Sequence, residues 1–552
     1  MQLLNHRNKT VNLHQFAMVP KADIPRSTFV RQQAHKTTFD ENWLIPFYVD
    51  EVLPGDTFSM KATVFARLST PLFPVMDNMY LDSFYFFVPN RLIWNHWVNM
   101  MGEQTNPADS ISFTTPQIVV GGGVATGTIY DYMGIPNAGQ FGVGTLNINA
   151  LPLRAYNKIW NDWFRDENLQ NSVGYGASNL PTDIGDGPDP LGNYTLLKRG
   201  KRHDYFTAAL PWTQKGGVAV TLPLSGTALV KTSVADGVTG AQQGMRFNDS
   251  AGARPVGGNG LFLGAGSTGT INQGTTTLGA FTAGPLYPTN LYADLSTATA
   301  TTINALRQSF QIQKLLERDA RGGTRYTELL RQHFGVTNPD SRLQRSEYLG
   351  GGSTPINIAP IPQTAQTGLT GGTTPLGTLG AHAAVTGRSG FTQSFTEHGF
   401  VIGLVNVRAD LTYQQGLRKM WSRLTRYDHY WPAFAMLGEQ AILNQEIYMQ
   451  GTTADTNTFG FVERWAEYRY LPSMITCNFR STATTPLDAW HLAEKFTSLP
   501  TLGATFIQQN TPVARVIATS VTNNHFIFDS FLNIRTTRAM PLYSVPGMID
   551  HF

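Results

Sequence analysis

The pattern of apolar residues along this chain is mainly that of β-strands. The stretch 84–88 is apolar at every position, so both of its sides must be covered by protein, as in a core strand. Residues 57–68 alternate instead, and the side chains expected on their inner side are Phe58, Met60, Ala62 and Val64. Residues 43–49 predict a further strand, with a turn at 53–56. Together these elements predict one layer of a β sandwich.

Helical spacing of apolar residues occurs in three places. The first predicted helix begins near Asn90, ends at Gly102 and docks on the sandwich. Its apolar positions are Ile93, Trp94, Trp97, Val98 and Met101. The second is an amphipathic helix over 153–164, and the third is a helical hairpin over 301–335. Helices are therefore few, and the predicted fold class is all-β.

The other segments have no strong period. Residues 1–36 contain six cations and predict an extended N-terminal arm, lying along a partner or nucleic acid or solvated as a tail. Residues 105–149 and 363–390 are rich in Gly and Thr and predict surface insertions. Residues 216–290 hold only five charged side chains, and they predict an ordered β excursion. Residues 526–531 predict a last strand, followed by an exposed tail.

Composition changes this picture by pointing to an assembly. Of the 552 residues 41% are hydrophobic and only 14% are charged, against about a quarter in ordinary soluble domains. Much of the surface is therefore expected to be polar but uncharged, or buried against partners. The 53 glycines and 31 prolines suit an all-β chain rich in turns, and such folds with long insertions often stay single domains of this length.

The sequence also limits the cellular setting. With the single cysteine Cys477 there can be no internal disulfide, and this residue is expected to be small and buried. The N-terminus has no apolar signal region, and no apolar run is long enough to cross a membrane. We therefore expect neither secretion by that route nor membrane insertion.

The densest basic run lies at 416–426 and is the main candidate for nucleic-acid binding. Aromatic residues stand beside it, which suits the phosphates and bases of a single strand, although a subunit contact is an equal alternative. The candidate residues are Arg418, Lys419, Arg423 and Arg426, together with Arg535 and Arg538 of the predicted C-terminal tail. A second basic and aromatic cluster, 198–206, could bind a single strand or pair with carboxylates of a neighbouring subunit.

A search for catalytic chemistry finds nothing that recommends an enzyme. The chain has no phosphate-binding loop with the required glycines and lysine, no paired cysteines and no zinc-type spacing of histidines. His398 and His429 each follow an acidic residue, and both are expected to be core or interface histidines. We therefore predict no catalytic residue, no metal site and no cofactor.

Several longer strings carry a resemblance to a known family. The chain resembles the major capsid proteins of gokushoviruses, small single-stranded DNA phages of the microvirus family. The matching strings are 44–56, 81–91, 154–157, 203–207, 311–324, 348–355, 397–403 and 413–416. They are spread over most of the chain, and the Gly/Thr-rich segments that do not match correspond to variable surface loops of this family.

The resemblance implies an eight-stranded jelly roll with long loop insertions, as a single capsid domain over 1–552. It implies a virion protein that assembles in the host cytoplasm into a small icosahedral (T=1) shell around circular single-stranded DNA. The insertion best matched by 216–290 would protrude at threefold axes and contact a receptor on the host surface. Internal scaffolding and pilot proteins are further partners that the resemblance implies.

The net charge predicts a further partner. The chain carries +3, so roughly 60 copies supply about +180. Encoding 552 residues alone needs roughly 1,660 nucleotides, and therefore a similar number of phosphates. The shell can neutralise about a tenth of them, so a small basic DNA-packaging protein, polyamines or metal cations must supply most of the compensation.

Two other functions fit the residues alone. A β-sandwich carbohydrate-binding protein or hydrolase would share the strand-rich, aromatic-rich composition. A single-strand DNA-binding protein would explain the basic aromatic stretches, but it would normally be more basic than +3 over 552 residues.

Overall fold

A computed structural model describes residues 25–140, 144–216, 303–323, 325–337, 344–364, 377–518 and 524–543, and between 217 and 302 only short strands and residue 220. The chain divides into two compact units. The first comprises residues 1–213 and 322–552, and the second comprises residues 214–321. Each unit is described by itself.

Two antiparallel sheets form the centre of the first unit. The strands are β1 (Arg26–Phe39), β2 (Ile45–Val52), β3 (Thr57–Leu68), β4 (Met79–Pro89), β5 (Glu347–Pro355), β6 (Asn357–Pro362), β7 (Leu379–Ser394), β8 (Gly399–Ala409) and β9 (Phe526–Ala539). The five-stranded sheet has the order β1-β9-β3-β7-β6, and the four-stranded sheet has the order β5-β4-β8-β2. Apart from the edge strand β6, this is the eight-stranded jelly roll expected from the resemblance.

Residues that alternate along the strands fill the space between the two sheets. In β3 the side chains of Phe58, Met60, Ala62 and Val64 are buried as predicted, and Phe526, Phe528 and Leu532 of the neighbouring β9 join them. The facing sheet contributes Phe47, Tyr85 and Val405, among others. The first core therefore lies between the two sheets, as in other sandwiches.

The four-stranded sheet is covered on its second side as well. Phe86, Val88 and Ile402 pack there against a second core that includes Tyr156 and Trp160. This double covering explains why β4 is apolar at successive positions, as the sequence predicted. It also leaves the five-stranded sheet as the one of the two with an open face among the described residues.

The predicted amphipathic helix supplies much of the second core. It runs as α-helix from Leu151 to Ile159 and continues as a π turn over Trp160–Phe164. Its Arg154 is fully buried and ion-pairs with Asp189 at 2.6 Å, and the hydroxyl of Tyr194 also donates to Asp189 at 2.6 Å. Because both charges are paired and hydrogen-bonded, their burial is tolerated.

The predicted helix between Asn90 and Gly102 is wrong in extent. A 3-10 turn covers Asn90–Leu92, and only Trp97–Met100 is α-helical. Ile93 and Trp94 are fully buried in the second core, although they lie in the irregular segment between these turns. The spacing of the apolar residues therefore predicted correctly that Ile93 and Trp94 are buried. A continuous helix is not needed to bury them.

Segment 105–149 also contributes to the second core. Strands Gln117–Gly121 and Thr145–Asn149 pair with each other, and a short helix covers Ile129–Tyr132. Ile118 and Val120 are fully buried. The predicted surface insertion is therefore partly a covering layer of the four-stranded sheet.

A third apolar cluster lies elsewhere in the first unit and includes Phe206, Tyr413, Ile442 and Phe459. It contains the strand pair Glu439–Leu443 and Thr458–Glu463 and the short helices Asn444–Ile447 and Ala504–Ile507. The first unit also contains short 3-10 turns, and their bounds are Leu191–Asn193, Lys419–Ser422, Arg426–Asp428, Pro432–Phe434, Thr453–Thr456, Ala466–Tyr468, Cys477–Phe479, Asp488–Trp490 and Val513–Arg515.

Both helices predicted within 301–335 are present. The first, Ile303–Arg321, belongs to the second unit. The other, Tyr326–Phe334, belongs to the first unit and ends at Gly335 with a φ of 70°, as predicted. The described strands of the second unit are Leu229–Thr232, Phe247–Asp249, Gly252–Arg254, Leu261–Leu263, Ile271–Gln273, Thr276–Thr277, Tyr287–Pro288 and Leu291–Asp294. The rest of the predicted insertion 216–290 lies outside the described residues.

Three predicted loops or tails differ from the structure. Residues 1–24 of the predicted arm lie outside the described residues, but the arm's remainder, from Arg26, is part of β1. The predicted surface loop 363–390 is strand from Leu379 onward. The predicted C-terminal tail is the second half of β9, so Arg535 and Arg538 lie in a sheet. In the strand that begins at Leu379 and in the second half of β9, small or polar residues hide the alternation of apolar and polar side chains.

A buried ion pair ties the ends of β1 and β9. His525 Nδ1 lies 2.6 Å from Glu41 Oε2, and the backbone N–H of His525 donates to Asp40 at 3.0 Å. The hydrogen bond to Glu41 raises the pKa of His525, burial opposes the rise, and the negative charges of Glu41 and Asp40 add to it. The protonated form of His525 is therefore favoured in the folded chain.

This pair predicts a pH dependence of stability. Because the folded pKa of His525 exceeds its unfolded value of about 6.5, the stabilisation is complete below that pH and is lost as pH rises through the folded pKa. The free energy of unfolding in urea should therefore fall by about 1 kcal/mol toward pH 8, and His525→Gln should remove that slope. His382→Gln is the control, since His382 has no carboxylate partner among the described residues. An unchanged slope in His525→Gln would contradict the assignment.

Candidate nucleic-acid interface

The basic run 416–426 folds as short 3-10 turns beside the third apolar cluster. Lys419 Nζ lies 3.3 Å from Glu446 and donates to the carbonyl of Ala441 at 2.9 Å. Arg423 pairs with Glu467 at 2.6 Å and lies over the ring of Tyr468. Both cations thus have carboxylate partners in their own chain.

The Glu467 carboxylate is held in its charged form by its surroundings. Burial alone would raise the pKa of Glu467, but hydrogen bonds from Gln440, from the residue's own backbone N–H and from Arg423, together with the charge of Lys419, outweigh burial and lower it. Gln440 donates to Glu467 at 2.6 Å. The Arg423 guanidinium therefore completes a half-buried polar network, which is a structural role.

The other two cations of the run differ from each other. Arg418 donates to the carbonyl oxygen of Pro472 at 3.1 Å. Arg426 is exposed, and its guanidinium lies 5.0 Å from the ring centre of Trp431. Arg418, Lys419 and Arg423 line a cavity of about 360 Å³ whose wall includes the aromatic rings of Tyr205 and Tyr470. Of the four candidates, Arg426 is the one open to solvent.

The cluster 198–206 is tied into the fold by its own chain. Arg199 pairs with Asp82 at 2.5 Å, Lys201 pairs with Glu494 at 2.6 Å, and Arg202 lies 3.7 Å from Asp410. The predicted carboxylate partners are thus present, but they are intramolecular and not those of a neighbouring subunit. Lys198 Nζ lies over the ring of Trp43.

Asp82 joins this cluster to the four-stranded sheet. Burial alone would raise its pKa, but hydrogen bonds from Ser353, Arg199 and Arg408 outweigh burial and lower it. Arg408 Nε lies 2.6 Å from the same carboxylate. Arg199, for which the sequence left open either a single strand or a carboxylate partner, therefore neutralises a buried carboxylate of β4.

Alternation in β9 separates the two remaining candidates. Arg535 is exposed on the open face of the five-stranded sheet, between buried Ile534 and Thr536. Arg538 turns to the other side, where it pairs with the fully buried Asp56 at 2.6 Å. The six candidates therefore do not converge, and the prediction that they bind nucleic acid stays a prediction.

Sequence reasoning missed the cations that share the open face with Arg535. These are Lys61 and Arg67 of β3 and Arg388 of β7, all exposed. The signal for the first two was available, because the alternation that placed Phe58 and Met60 inside places Lys61 and Arg67 outside. Arg388 was hidden because its strand was predicted to be a loop.

Several large apolar side chains in and near the basic run are exposed. The most exposed of them are Leu424 at 88% and Met436 at 96% of their full accessible area. We call this set the 420–474 apolar surface, and it consists of Met420, Trp421, Leu424, Tyr427, Met436, Leu471 and Met474. Large exposed apolar patches on soluble proteins mark interaction sites.

The described residues offer little to catalysis or to metal binding. Asp40, Glu41 and His525 bring potential metal-binding atoms within 4.8 Å of one another, but the hydrogen bond between Glu41 and His525 already accounts for them. Cys477 is exposed, so the prediction that it is buried was wrong. No helix within the described part of the chain is long and apolar enough to cross a membrane.

Comparison with known proteins identifies relatives over nearly the whole chain. Capsid protein VP1 of Bdellovibrio phage phiMH2K is 44% identical over 553 residues, covering 98% of this chain and 99% of that protein. Capsid protein VP1 of Chlamydia phage 1 is 41% identical over 599 residues, covering 98% of each chain. Capsid protein VP1 of Spiroplasma virus 4 is 36% identical over 556 residues, covering 97% of this chain and 98% of that protein.

A family model leads to the same conclusion. The model of the family described as "Capsid protein (F protein)" matches residues 17–548. The relatives and the jelly roll agree with it, and they support a structural component of the virion rather than an enzyme. The chain belongs to this capsid protein family, as a major capsid protein of the gokushovirus type.

Proposed function

We propose that the chain builds a T=1 icosahedral shell that encloses circular single-stranded DNA, and that the 420–474 apolar surface is one of its subunit contacts. Membership of the capsid family supports self-assembly as such. The observation that carries the contact is the exposure of Leu424 and Met436, at 88% and 96%. Side chains this exposed contribute almost no packing to the isolated subunit.

A second copy of the chain is the occupant that best explains this surface. Packing such side chains against another subunit would remove their apolar area from water, at about 25 cal/mol for each Å². Aromatic residues and methionine are enriched in interface cores. The neighbouring cations Lys419 and Arg423 are already paired with glutamates, so this surface can be buried without leaving those charges unpartnered.

The six predicted nucleic-acid residues divide by what holds them. Lys419, Arg423 and Arg538 pair with carboxylates of their own chain, and Arg418 is bound to a backbone carbonyl. Arg426 and Arg535 are exposed, so we propose these two for contacts with phosphates. We propose that the other four stabilise the folded subunit and do not bind DNA.

Other partners complete the proposal. Because about 60 copies at +3 offset only about a tenth of the phosphates, we propose that a small basic protein, polyamines or metal ions supply the rest. Internal scaffolding and pilot proteins are proposed from the family resemblance. Segment 216–290 is proposed to protrude at threefold axes and to contact the host surface receptor.

Particles recovered from infected cells test the shell directly. Sixty copies of a 60.7 kDa chain give a protein mass of about 3.6 MDa, which native mass measurement and electron microscopy should find. DNA released from them should be cut by a nuclease specific for single strands and should resist an exonuclease. A small oligomer, another copy number or duplex DNA would each contradict the proposal.

Substitutions in the 420–474 apolar surface test the subunit contact. Leu424→Asp with Met436→Asp should lower the particle yield at least tenfold, because charges at a buried contact must lose water without gaining a partner. The matched control, Leu424→Met with Met436→Leu, keeps the apolar area and should assemble normally. Circular dichroism and thermal unfolding of the unassembled chain should be the same for both variants. Normal particle yield from the aspartate variant would refute the contact.

Replacing Arg423 separates a structural role from DNA binding. Arg423→Gln leaves the charge of Glu467 half-buried and unpaired, so the free energy of unfolding should fall by about 1 to 3 kcal/mol. The double variant Arg423→Gln with Glu467→Gln should recover part of that loss. Affinity for a single-stranded oligonucleotide should not change in either variant. A loss of affinity with normal stability would instead assign Arg423 to DNA.

A further inference from the structure

The open face of the five-stranded sheet carries a concentration of positive charge. Lys36, Lys61, Arg67, Arg388 and Arg535 are all exposed there, on four adjacent strands. The described carboxylate on the same rows is Asp529, which pairs with Lys36 at 2.9 Å. Four cations remain that pair with no carboxylate among the described residues. Their summed positive charge is larger than the net charge of the whole chain, which is +3.

The strand register places these four cations around β3. Arg535 of β9 lies opposite Ser59, and Lys61 is the next residue of β3 on the same face. Arg388 of β7 lies opposite Thr63, and Arg67 is four residues further along β3. Adjacent strands are about 4.8 Å apart, and residues two apart in one strand are about 7 Å apart. The cations therefore follow β3 along its length and on both of its sides.

Two exposed aromatic rings lie among these cations. Phe531 of β9 lies opposite Thr63, and Phe65 lies opposite Asp529, so the two phenylalanines are diagonal neighbours. Each keeps 46% of its accessible area. Residues in this diagonal relation are about 7 to 8 Å apart, within reach of aromatic side chains. We call Lys61, Phe65, Arg67, Arg388, Phe531 and Arg535 the basic sheet face.

Two other positions on these rows carry exposed apolar side chains, Val30 opposite Arg535 and Ile527 opposite Arg67, and several carry uncharged hydrogen-bonding groups. Thr63, Thr386, Thr392, Gln32 and Asn533 lie between or beside the cations. This combination of groups suits a single strand of DNA. The cations can contact its phosphates, its bases can stack on the aromatic rings, and the hydroxyl and amide groups supply hydrogen bonds. A duplex would hide its bases from Phe65 and Phe531.

Burial distinguishes this face from the other sheet surfaces. The four-stranded sheet packs against one core on each side, so most of both faces is covered, and a cavity of about 470 Å³ remains beside Phe84 and Tyr348. Arg199, Lys201 and Arg202 of the cluster 198–206 and Lys419 and Arg423 of the run 416–426 are paired with internal carboxylates, as described above. The basic sheet face combines two exposed aromatic rings with four exposed cations that have no carboxylate partner among the described residues.

We infer that the basic sheet face binds the single-stranded DNA and is turned toward the interior of the particle. This inference rests on the proposed function, since it needs a shell that encloses such a genome. Lys61, Arg67, Arg388 and Arg535 bind phosphates, while Phe65 and Phe531 stack on bases. Without base-specific groups in fixed positions, binding is independent of sequence.

Ultraviolet cross-linking of intact, DNA-filled particles tests where the strand lies. After nuclease and protease digestion, mass spectrometry should find nucleotide adducts on peptides from β3 or β9, at or next to Phe65 or Phe531. Adducts confined to other peptides would overturn the inference. Particles that contain no single-stranded DNA would instead refute the proposed function, so the two failures are distinguishable.

A charge-neutralising variant tests the cations. The face variant changes Lys61, Arg67, Arg388 and Arg535 to Gln, and the matched control changes the exposed cations Arg307, Lys314, Arg331 and Lys495 to Gln. The full-length chain, purified as the unassembled subunit, is titrated with a fluorescent single-stranded oligonucleotide at several salt concentrations. Each lost phosphate contact should reduce the slope of log affinity against log salt by about 0.7.

The face variant should therefore bind at least tenfold more weakly near 0.1 M salt and lose a slope of roughly 2 to 3, with the control close to wild type. Equal affinity and slope in the face variant and wild type would overturn the inference, as would an equal loss in the control. If the face variant fails to assemble while its DNA affinity is unchanged, the face is a subunit contact instead. Thermal unfolding of each variant confirms that the chain is folded.

Discussion

The covering of the four-stranded sheet on both sides is the constraint on which the rest of this structure depends. Strand β4 can be apolar at consecutive positions only because one core lies between the sheets and another lies behind it. The second core in turn requires the helix with the buried Arg154–Asp189 pair and the segment around Ile118 and Val120. Long connections between the strands are thus partly structural, since they supply the layer that the sheet needs.

This asymmetry between the sheets determines which surfaces remain for partners. With one sheet enclosed, the five-stranded sheet offers its outer rows, and the segment around residues 420–474 offers apolar side chains. The two surfaces differ in chemistry, since one combines cations with two phenylalanines and the other is dominated by exposed Leu and Met. A shell protein must contact both copies of itself and its cargo, and the structure presents separate surfaces with the chemistry suited to each.

Strong periodicity made part of this fold predictable from sequence. The bounds of β3 and its inward residues were correct because apolar and polar side chains alternate there without interruption. β7 and the second half of β9 were missed because Ala, Gly, Thr and Asn occupy many of their positions. Gly390 shows the reason, since a Cβ atom there would clash with the carbonyl oxygen of Met60. Close backbone approach selects a residue that looks like a loop in the sequence.

The candidate site was harder to predict because ion pairs join distant parts of the chain. The partners Arg199–Asp82 and Lys201–Glu494 are 117 and 293 residues apart, so no local pattern could show that these cations were already neutralised. The fold itself also depends on partners that are distant in sequence. β1 pairs with β9, and the hydrogen bond between Thr28 and Thr537 joins residues 509 positions apart. While a ribosome is still translating the middle of the chain, β1 and β3 have no partner between them. The five-stranded sheet therefore closes only after β9 has been synthesised, which excludes chains truncated before that strand from the native sheet.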